Sequence, residues 1–181
     1  MKDLIIGKYR IKISLEPDYF QDSADNFPYD CVIDLCSGYH KTIALTVGDG
    51  ISSRKAALIV PFYTPDHDFA LPLSRHLFLM LNDCLCIFDP ESLSVVKEKH
   101  ISIMGTMFAA FPYEDDFILY GEMEILRVNQ ELEIIWSFSG REIFVRCEGS
   151  EPAFEMKADR ICLHDFLDNH YEIDYEGKLI G

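Results

Sequence analysis

Three apolar runs in this chain end at an aspartate or asparagine, and they recur at similar intervals. Asp89, Asn129 and Asp174 each close such a run, at spacings of 40 and 45 residues. Each is followed, three to five residues later, by a leucine that opens a return segment. Aspartate and asparagine suit tight corners because their side chains accept hydrogen bonds from backbone amides two residues on. The pattern predicts three repeat-like β units over residues 76–181, each made of short antiparallel strands.

These units resemble the blades of quinoprotein-type and WD40-like β-propellers, whose repeats of short strands run to about 40–45 residues. The likeness is carried best by residues 117–120, 128–129 and 132–136. It implies an all-β chain of small antiparallel sheets, arranged as a partial or small propeller. At that repeat length the chain holds about four blades, and a strand over Tyr9–Leu15 would complete the last one. A β-sandwich built from the same hairpins is the alternative.

Residues 1–75 are predicted to form a divergent N-terminal β part of one domain that spans residues 1–181. Tyr9–Leu15 alternates apolar and polar side chains, which is typical of a half-buried strand. Further strands are predicted near residues 31–35, 42–47 and 58–63. A helical turn is the alternative for residues 52–58, and Pro61 places the strand that follows at a sheet edge or a strand end.

The charge of the chain is strongly negative and unevenly spread. Its 31 Asp and Glu outnumber its 16 Lys and Arg, which gives a formal net charge of −15. Of these, 17 acidic and 6 basic residues follow residue 112. Such a surface repels phosphate backbones, so we expect no nucleic acid. It also attracts basic proteins, so we expect a basic protein partner; plain solubility is the alternative explanation of the charge.

Membrane insertion and export are not expected from the sequence. No apolar run reaches the ~18 residues of a membrane span, and the first residues carry no export signal. We therefore expect a cytoplasmic protein with no membrane partner, whose six cysteines are reduced.

Three clusters suggest chemistry, and each has a simpler interpretation. Asp66, His67 and Asp68 would orient an imidazole for base catalysis, but no nucleophile accompanies them. Residues 48–55 share glycines with a phosphate loop, yet Asp-Gly first of all predicts a turn. The third cluster could supply half of a zinc site, but a hairpin with polar turn residues also explains it. Its members are Cys162, His164, Asp165, Asp168 and His170. We predict no catalytic residue, no metal ligand and no cofactor.

The loop at residues 16–30 interleaves aromatic rings with aspartates. Aromatic side chains within an acidic rim are typical of an interface for a basic partner. The alternative is that the rings fold back and protect a sheet edge. Together with acidic residues of the second half, they make up the predicted binding residues: Tyr19, Phe20, Phe27, Tyr29, Asp115, Asp116 and Glu122.

We expect a non-catalytic protein-interaction module that binds a basic protein. An immunity or antitoxin-type inhibitor is one form of such a module, and a scaffold is another. The alternative is a small-molecule- or metal-dependent enzyme with its site at the loop ends of the sheets. There, residues 66–68 or the pair His164 and His170 would converge. The oligomeric state is open.

Overall fold

The computed structural model describes residues 2–19, 23, 28–36, 38, 40–61, 69–146 and 151–180. All regular structure in this described part is β-strand, and no helix there is long and apolar enough to cross a membrane. The strands are β1 (Lys2–Ile6), β2 (Tyr9–Leu15), β3 (Cys31–Asp34), β4 (His40–Gly48), β5 (Ser53–Pro61), β6 (Ala70–Leu73), β7 (His76–Leu81), β8 (Cys84–Asp89), β9 (Ser94–His100), β10 (Met107–Tyr113), β11 (Asp116–Gly121), β12 (Glu124–Val128), β13 (Ile134–Ser139), β14 (Phe154–Met156), β15 (Ile161–His164) and β16 (His170–Ile173).

The strands form four small sheets, which confirms the predicted all-β class. Two of them, β6-β7-β8-β9 and β10-β11-β12-β13, are four-stranded antiparallel meanders, the topology of a propeller blade. The third, β14-β15-β16, is extended by a bridge between Ile173 and Leu179. The fourth has the order β1-β2-β4-β5-β3, and its β3 runs parallel to β5.

The chain divides into two compact units, Met1–Ile101 and Ser102–Gly181. The first predicted repeat unit, which begins at residue 76, therefore lies in the first compact unit. The reason is packing, since Leu77 and Phe88 share one buried cluster with Ile11 and Leu58 of the five-stranded sheet. One domain over residues 1–181 stays a prediction.

The five-stranded sheet corrects one expectation and confirms others. Tyr9–Leu15 is the predicted half-buried strand, but β2 is paired on one side with β1 and on the other with β4. Both its edges are occupied, so the expectation that it completes the last blade is wrong. Residues 53–61 form one strand rather than a helical turn, because this strand is buried against the core from Ala56 to Val60. Pro61 ends it, as predicted.

The turn between β4 and β5 settles the interpretation of residues 48–55. The carboxylate of Asp49 accepts hydrogen bonds from the backbone amides of Ile51 and Ser52, at 2.9 and 2.8 Å. The amide of Asp49 donates to the carbonyl of Ser52 across the turn. These residues are a hairpin turn, as the Asp-Gly pair predicted.

The second unit has its own core, built around Phe144. Ile118, Ile125, Ile161 and Ile173 surround it, and Trp136 packs against this cluster from a half-buried position. Trp136 therefore has a structural role in this core.

The predicted Asx corners form at all three positions. Asn129 accepts hydrogen bonds from the amides of Glu131 and Glu133, both at 2.9 Å. Asp174 accepts from Glu176 and Lys178 in the same way, and Asp89 accepts from Glu91. Corners of this kind also require a residue of positive φ, which is Leu132 (φ 62°), Gly177 (φ 76°) and Leu93 (φ 54°) respectively.

Candidate functional site

The described part of the loop at residues 16–30 holds two of its predicted aromatic residues. Tyr19 and Tyr29 are half-buried and meet edge to face, with ring centroids 5.7 Å apart. Burial and the neighbouring carboxylate of Glu16 raise the pKa of Tyr29 to about 12. Phe20 and Phe27 lie outside the described residues. A binding role for this loop stays a prediction.

The three acidic residues of the predicted site do not lie together. Asp115 and Asp116 precede β11 and begin it, whereas Glu122 follows its end. At about 3.3 Å per residue, this strand separates Asp116 from Glu122 by roughly 20 Å. Asp116 is engaged by Arg127, whose Nε donates to its Oδ2 over 2.8 Å, while Asp115 is exposed. Only Glu122 lies at the end of the sheet described next.

The turn between β15 and β16 presents two apolar side chains to solvent. Asp165 is fully buried and accepts hydrogen bonds, at 2.8 to 3.1 Å, from four groups: the backbone amides of Leu167 and Asn169, the Asn169 side chain and the Tyr171 hydroxyl. In the same turn, Phe166 is 54% exposed and Leu167 is 64% exposed. Turn positions are ordinarily polar. A tightly held turn that leaves a phenylalanine and a leucine in water is therefore unusual.

Neighbouring segments extend this surface. The amide of Phe166 donates to the carbonyl of Ile143, and the amide of Phe144 donates to Glu122. The β11–β12 turn, with Met123 41% exposed, is thereby tied to the same end of the sheets. We call this surface the Phe166 end. It comprises the β11–β12 turn, residues 140–146 and the β15–β16 turn.

Charged side chains of both signs surround the apolar residues of the Phe166 end. Glu122, Glu142 and Asp168 are its acidic members, and Glu142 and Asp168 are exposed. Its basic members are Arg141, which is exposed, and Arg146, which pairs with Asp168. The Phe166 end thus combines exposed apolar groups with a rim of three acidic and two basic side chains.

Two histidines that the sequence singled out meet beside this turn. His164 and His170 are opposite each other in β15 and β16, with Nε2 of the first 2.9 Å from Nδ1 of the second. His164 Nδ1 lies 3.2 Å from the carbonyl of Pro152, which only accepts, so that nitrogen carries the proton. In neutral His164, Nε2 then accepts from Nδ1–H of His170. An oxygen of Glu151 also lies 3.3 Å from this Nε2.

The rest of the predicted half-site is engaged elsewhere. Cys162 contacts Glu172, Asp165 holds the turn, and Asp168 pairs with Arg146. The hairpin interpretation therefore accounts for these residues. Asp66, His67 and Asp68 lie outside the described residues.

The first unit holds a cluster that sequence reasoning missed. Among the described residues, Cys84, Glu98 and His100 form a triad whose ligand atoms all lie within 4.8 Å of one another. Burial, followed by the negative charge of Glu98 and Asp83, raises the pKa of Cys84 to about 12. The side chains of Glu98 and His100 are 39% and 51% exposed. A buried thiol, an imidazole and a carboxylate are the ligand types that zinc prefers.

The spacing of these three residues hides the cluster in the sequence. Zinc motifs are recognised from short intervals such as Cys-x-x-Cys, whereas Cys84 and His100 are sixteen residues apart. Strand pairing places them directly opposite each other, and Glu98 lies two residues earlier on the same face of β9. The sequence signal that could have revealed the cluster is the pairing of residues 84–89 and 94–100 as a hairpin, which brings Cys84 opposite His100.

No family model and no curated protein matches this chain in sequence. Solved structures with a similar arrangement of strands include a protein of unknown function from Bacteroides caccae, with 16% identity and a TM-score of 0.44. Hsv2 from Kluyvelomyces marxianus has 7% identity and a TM-score of 0.45, and BamB from Moraxella catarrhalis has 11% and 0.47. These matches cover 78%, 76% and 99% of this chain.

The chain spans less than two thirds of each of those structures, at 61%, 46% and 62% of their lengths. With TM-scores below 0.5, neither an activity nor a partner follows from these likenesses. The strands themselves define an all-β protein with blade-like antiparallel sheets.

Proposed function

We propose that this chain is a protein-interaction module that binds a basic protein through the Phe166 end. Phe166 and Leu167 are the anchors, and the negative charge of the second unit, with Glu122 at this surface, selects a basic partner. An immunity or antitoxin-type inhibitor of a basic toxin is one form of this function, and a scaffold is another.

One observation carries the proposal, namely the exposure of Phe166 and Leu167 on a turn held by a buried carboxylate. Exposing apolar area costs roughly 25 cal/mol per Å², so an isolated protein gains nothing by holding these side chains in water. Adjacent exposed apolar groups commonly mark binding surfaces. Because hydrogen bonds from four groups to Asp165 hold the turn, little conformational entropy is lost when a partner covers it.

Charge supports a basic partner. The second unit carries 17 acidic and 6 basic residues, a net charge of −11. Four of the six basic residues are already in ion pairs: Arg127 with Asp116, Arg146 with Asp168, Lys157 with Glu155 and Arg160 with Glu172. A field of this sign accelerates encounter with cationic proteins and slows encounter with anionic ones.

The test compares capture by the parent chain and by Phe166→Ser/Leu167→Ser. The immobilised full chains are exposed to the same lysate at about 0.02 M and about 0.15 M salt, and retained proteins are quantified by mass spectrometry. The matched control is Ile134→Ser/Ile135→Ser, which removes two exposed apolar side chains (40% and 47%) from β13 of the same unit.

The proposal expects a set of basic proteins that the parent retains and the Phe166 variant loses by about tenfold or more. The control should retain them, and the higher salt should weaken their capture. Equal recovery by the parent and the Phe166 variant would overturn the proposal. So would a retained set that depends on Phe166 but is not basic. The identity of a retained partner then separates an inhibitor from a scaffold.

A further inference from the structure

The pairing of β8 with β9 brings a thiol, a carboxylate and an imidazole to one edge of the first unit. Cys84 faces His100 directly across the two strands, and Glu98 shares the face of His100. Their ligand atoms all lie within 4.8 Å of one another. The three residue types come from separate positions that only this strand register brings together.

The distances suit a tetrahedral cation. Nitrogen and oxygen ligands at about 2.0–2.1 Å from Zn²⁺ lie about 3.4 Å apart in tetrahedral geometry. His100 Nε2 and Glu98 Oε1 are 3.4 Å apart. The Cys84 sulfur lies within 4.8 Å of a ring nitrogen of His100 and a carboxylate oxygen of Glu98. It would complete three protein ligands and leave the fourth position of a tetrahedral site to water.

A fourth residue orients the imidazole. Asp83, in the turn before β8, places Oδ2 3.4 Å from Nδ1 of His100. When Nε2 ligates a metal, the proton is on Nδ1, and the Asp83 carboxylate accepts a hydrogen bond from it and fixes the ring orientation. Such carboxylate–histidine pairs recur around bound zinc, and their loss typically weakens the site by about 10–100-fold.

Solvent reaches two of the three ligands directly. The side chains of Glu98 and His100 are 39% and 51% exposed, and Glu98 lines a groove between β3 and β9 together with Leu35, Val95 and Val96. Cys84 is buried, so an ion first meets Glu98 and His100.

We propose that Cys84, Glu98 and His100 form a zinc site, with Asp83 as the residue that positions His100. Binding replaces the thiol proton of Cys84 with the metal ion, and the proton passes to solvent. The site lies in the first unit and is independent of the Phe166 end, so either proposal can fail alone.

The experiment uses the full chain, stripped of metal with a chelator and titrated with Zn²⁺ against a chromophoric indicator. A parallel titration with Co²⁺ reports thiolate ligation through a charge-transfer absorption band. The variants are Cys84→Ser, His100→Gln, Glu98→Gln and Asp83→Asn, with His40→Gln and His170→Gln as controls. Far-UV circular dichroism checks that each variant folds.

We expect one Zn²⁺ per chain and a Co²⁺ charge-transfer band that Cys84→Ser removes. His100→Gln and Glu98→Gln should weaken Zn²⁺ at least tenfold, as should Asp83→Asn, while both controls bind like the parent. Because Glu98 and His100 are exposed, their variants test the site even if Cys84→Ser does not fold. Absence of Zn²⁺ binding, a missing band in the parent, or loss in His170→Gln rather than His100→Gln would overturn the proposal.

Discussion

Trp136 donates a hydrogen bond from its indole nitrogen to the backbone carbonyl of Tyr175 over 2.9 Å. The same ring lies on Gly177, at the Asx corner that begins with Asp174. A Cβ on Gly177 would fall 2.6 Å from Cδ2 of the indole. Trp136 thereby connects β13 to the turn that follows β16, within the second unit.

Gly177→Ala should destabilise the protein by about 2–3 kcal/mol. Roughly 1 kcal/mol of this comes from placing an alanine at positive φ, and the remainder from its clash with Trp136. Urea unfolding followed by circular dichroism measures the loss. Gly50→Ala is the control, because Gly50 also has positive φ (89°) but nothing within 4 Å of the added carbon. Equal losses in the two variants would show that the ring contact has no energetic role.

Phe144 and Phe166 should respond in opposite ways to truncation. Phe144 is fully buried in the core of the second unit, whereas Phe166 is 54% exposed. Phe144→Ala should lower the free energy of unfolding by about 3–5 kcal/mol. Phe166→Ala should change it by less than about 0.5 kcal/mol. The urea midpoints of the two variants measure this difference. A large loss of stability in Phe166→Ala would mean that its side chain contributes to the folded core.

Asp165→Asn should destabilise the protein at neutral pH and much less in acid. Burial opposes ionisation of Asp165, but the hydrogen bonds from Asn169, Tyr171 and Leu167 outweigh it and lower its pKa below the ordinary value. A carboxyl whose pKa is depressed by folding adds stability at neutral pH, and this stability is lost as the pH falls through the folded-state pKa.

The expected loss for Asp165→Asn is about 2 kcal/mol at about pH 7. The gap between the parent and the variant should narrow from about pH 5 to about pH 3. Urea unfolding across this range measures the gap, and Asp115→Asn, at an exposed turn position, is the control with little change. A gap that is constant with pH would contradict a charged Asp165 in the folded state.

Arg127→Met should lower the free energy of unfolding by about 3 kcal/mol. The Arg127 side chain is 11% exposed and donates to Asp116 and to the carbonyl of Tyr175, while it lies 4.9 Å from the centre of the Tyr113 ring. Removing one partner of a buried pair leaves the other charge unpaired. Thermal and urea unfolding should both report the loss.

The exposed pair of Arg10 and Asp3 provides the matched comparison for Arg127. Its two side chains are 66% and 38% exposed, so Arg10→Met should leave the urea midpoint nearly unchanged, because water already solvates both charges. If Arg10→Met and Arg127→Met behave alike, the network around Arg127 adds no more than a surface ion pair.

The local signals in the chain were enough to predict much of the fold. The alternation over Tyr9–Leu15 became β2 with the predicted bounds, and the short strands predicted for residues 76–181 formed, among them β7 and β11. The corners at Asp89, Asn129 and Asp174 followed from a side chain that bonds its own neighbouring backbone. Such interactions act over a few residues, so a single sequence contains the necessary information.

The candidate sites depended on contacts between distant residues. Phe166 and Leu167 read as ordinary apolar residues, and only the packing of the second unit leaves them in water. Cys84 meets His100 because a bulge between Ile87 and Phe88 shifts the β8–β9 register by one residue. Without that shift, Cys84 would face Lys99 instead.

The chain therefore encodes its strands and corners locally, through alternation and through hydrogen bonds between a side chain and the nearby backbone. Which strands pair, in what register, and which side chains remain exposed are decided by burial of the whole apolar surface. That burial is a collective property of residues far apart in the chain. The same cause placed β2 in the five-stranded sheet, where it cannot complete the last blade.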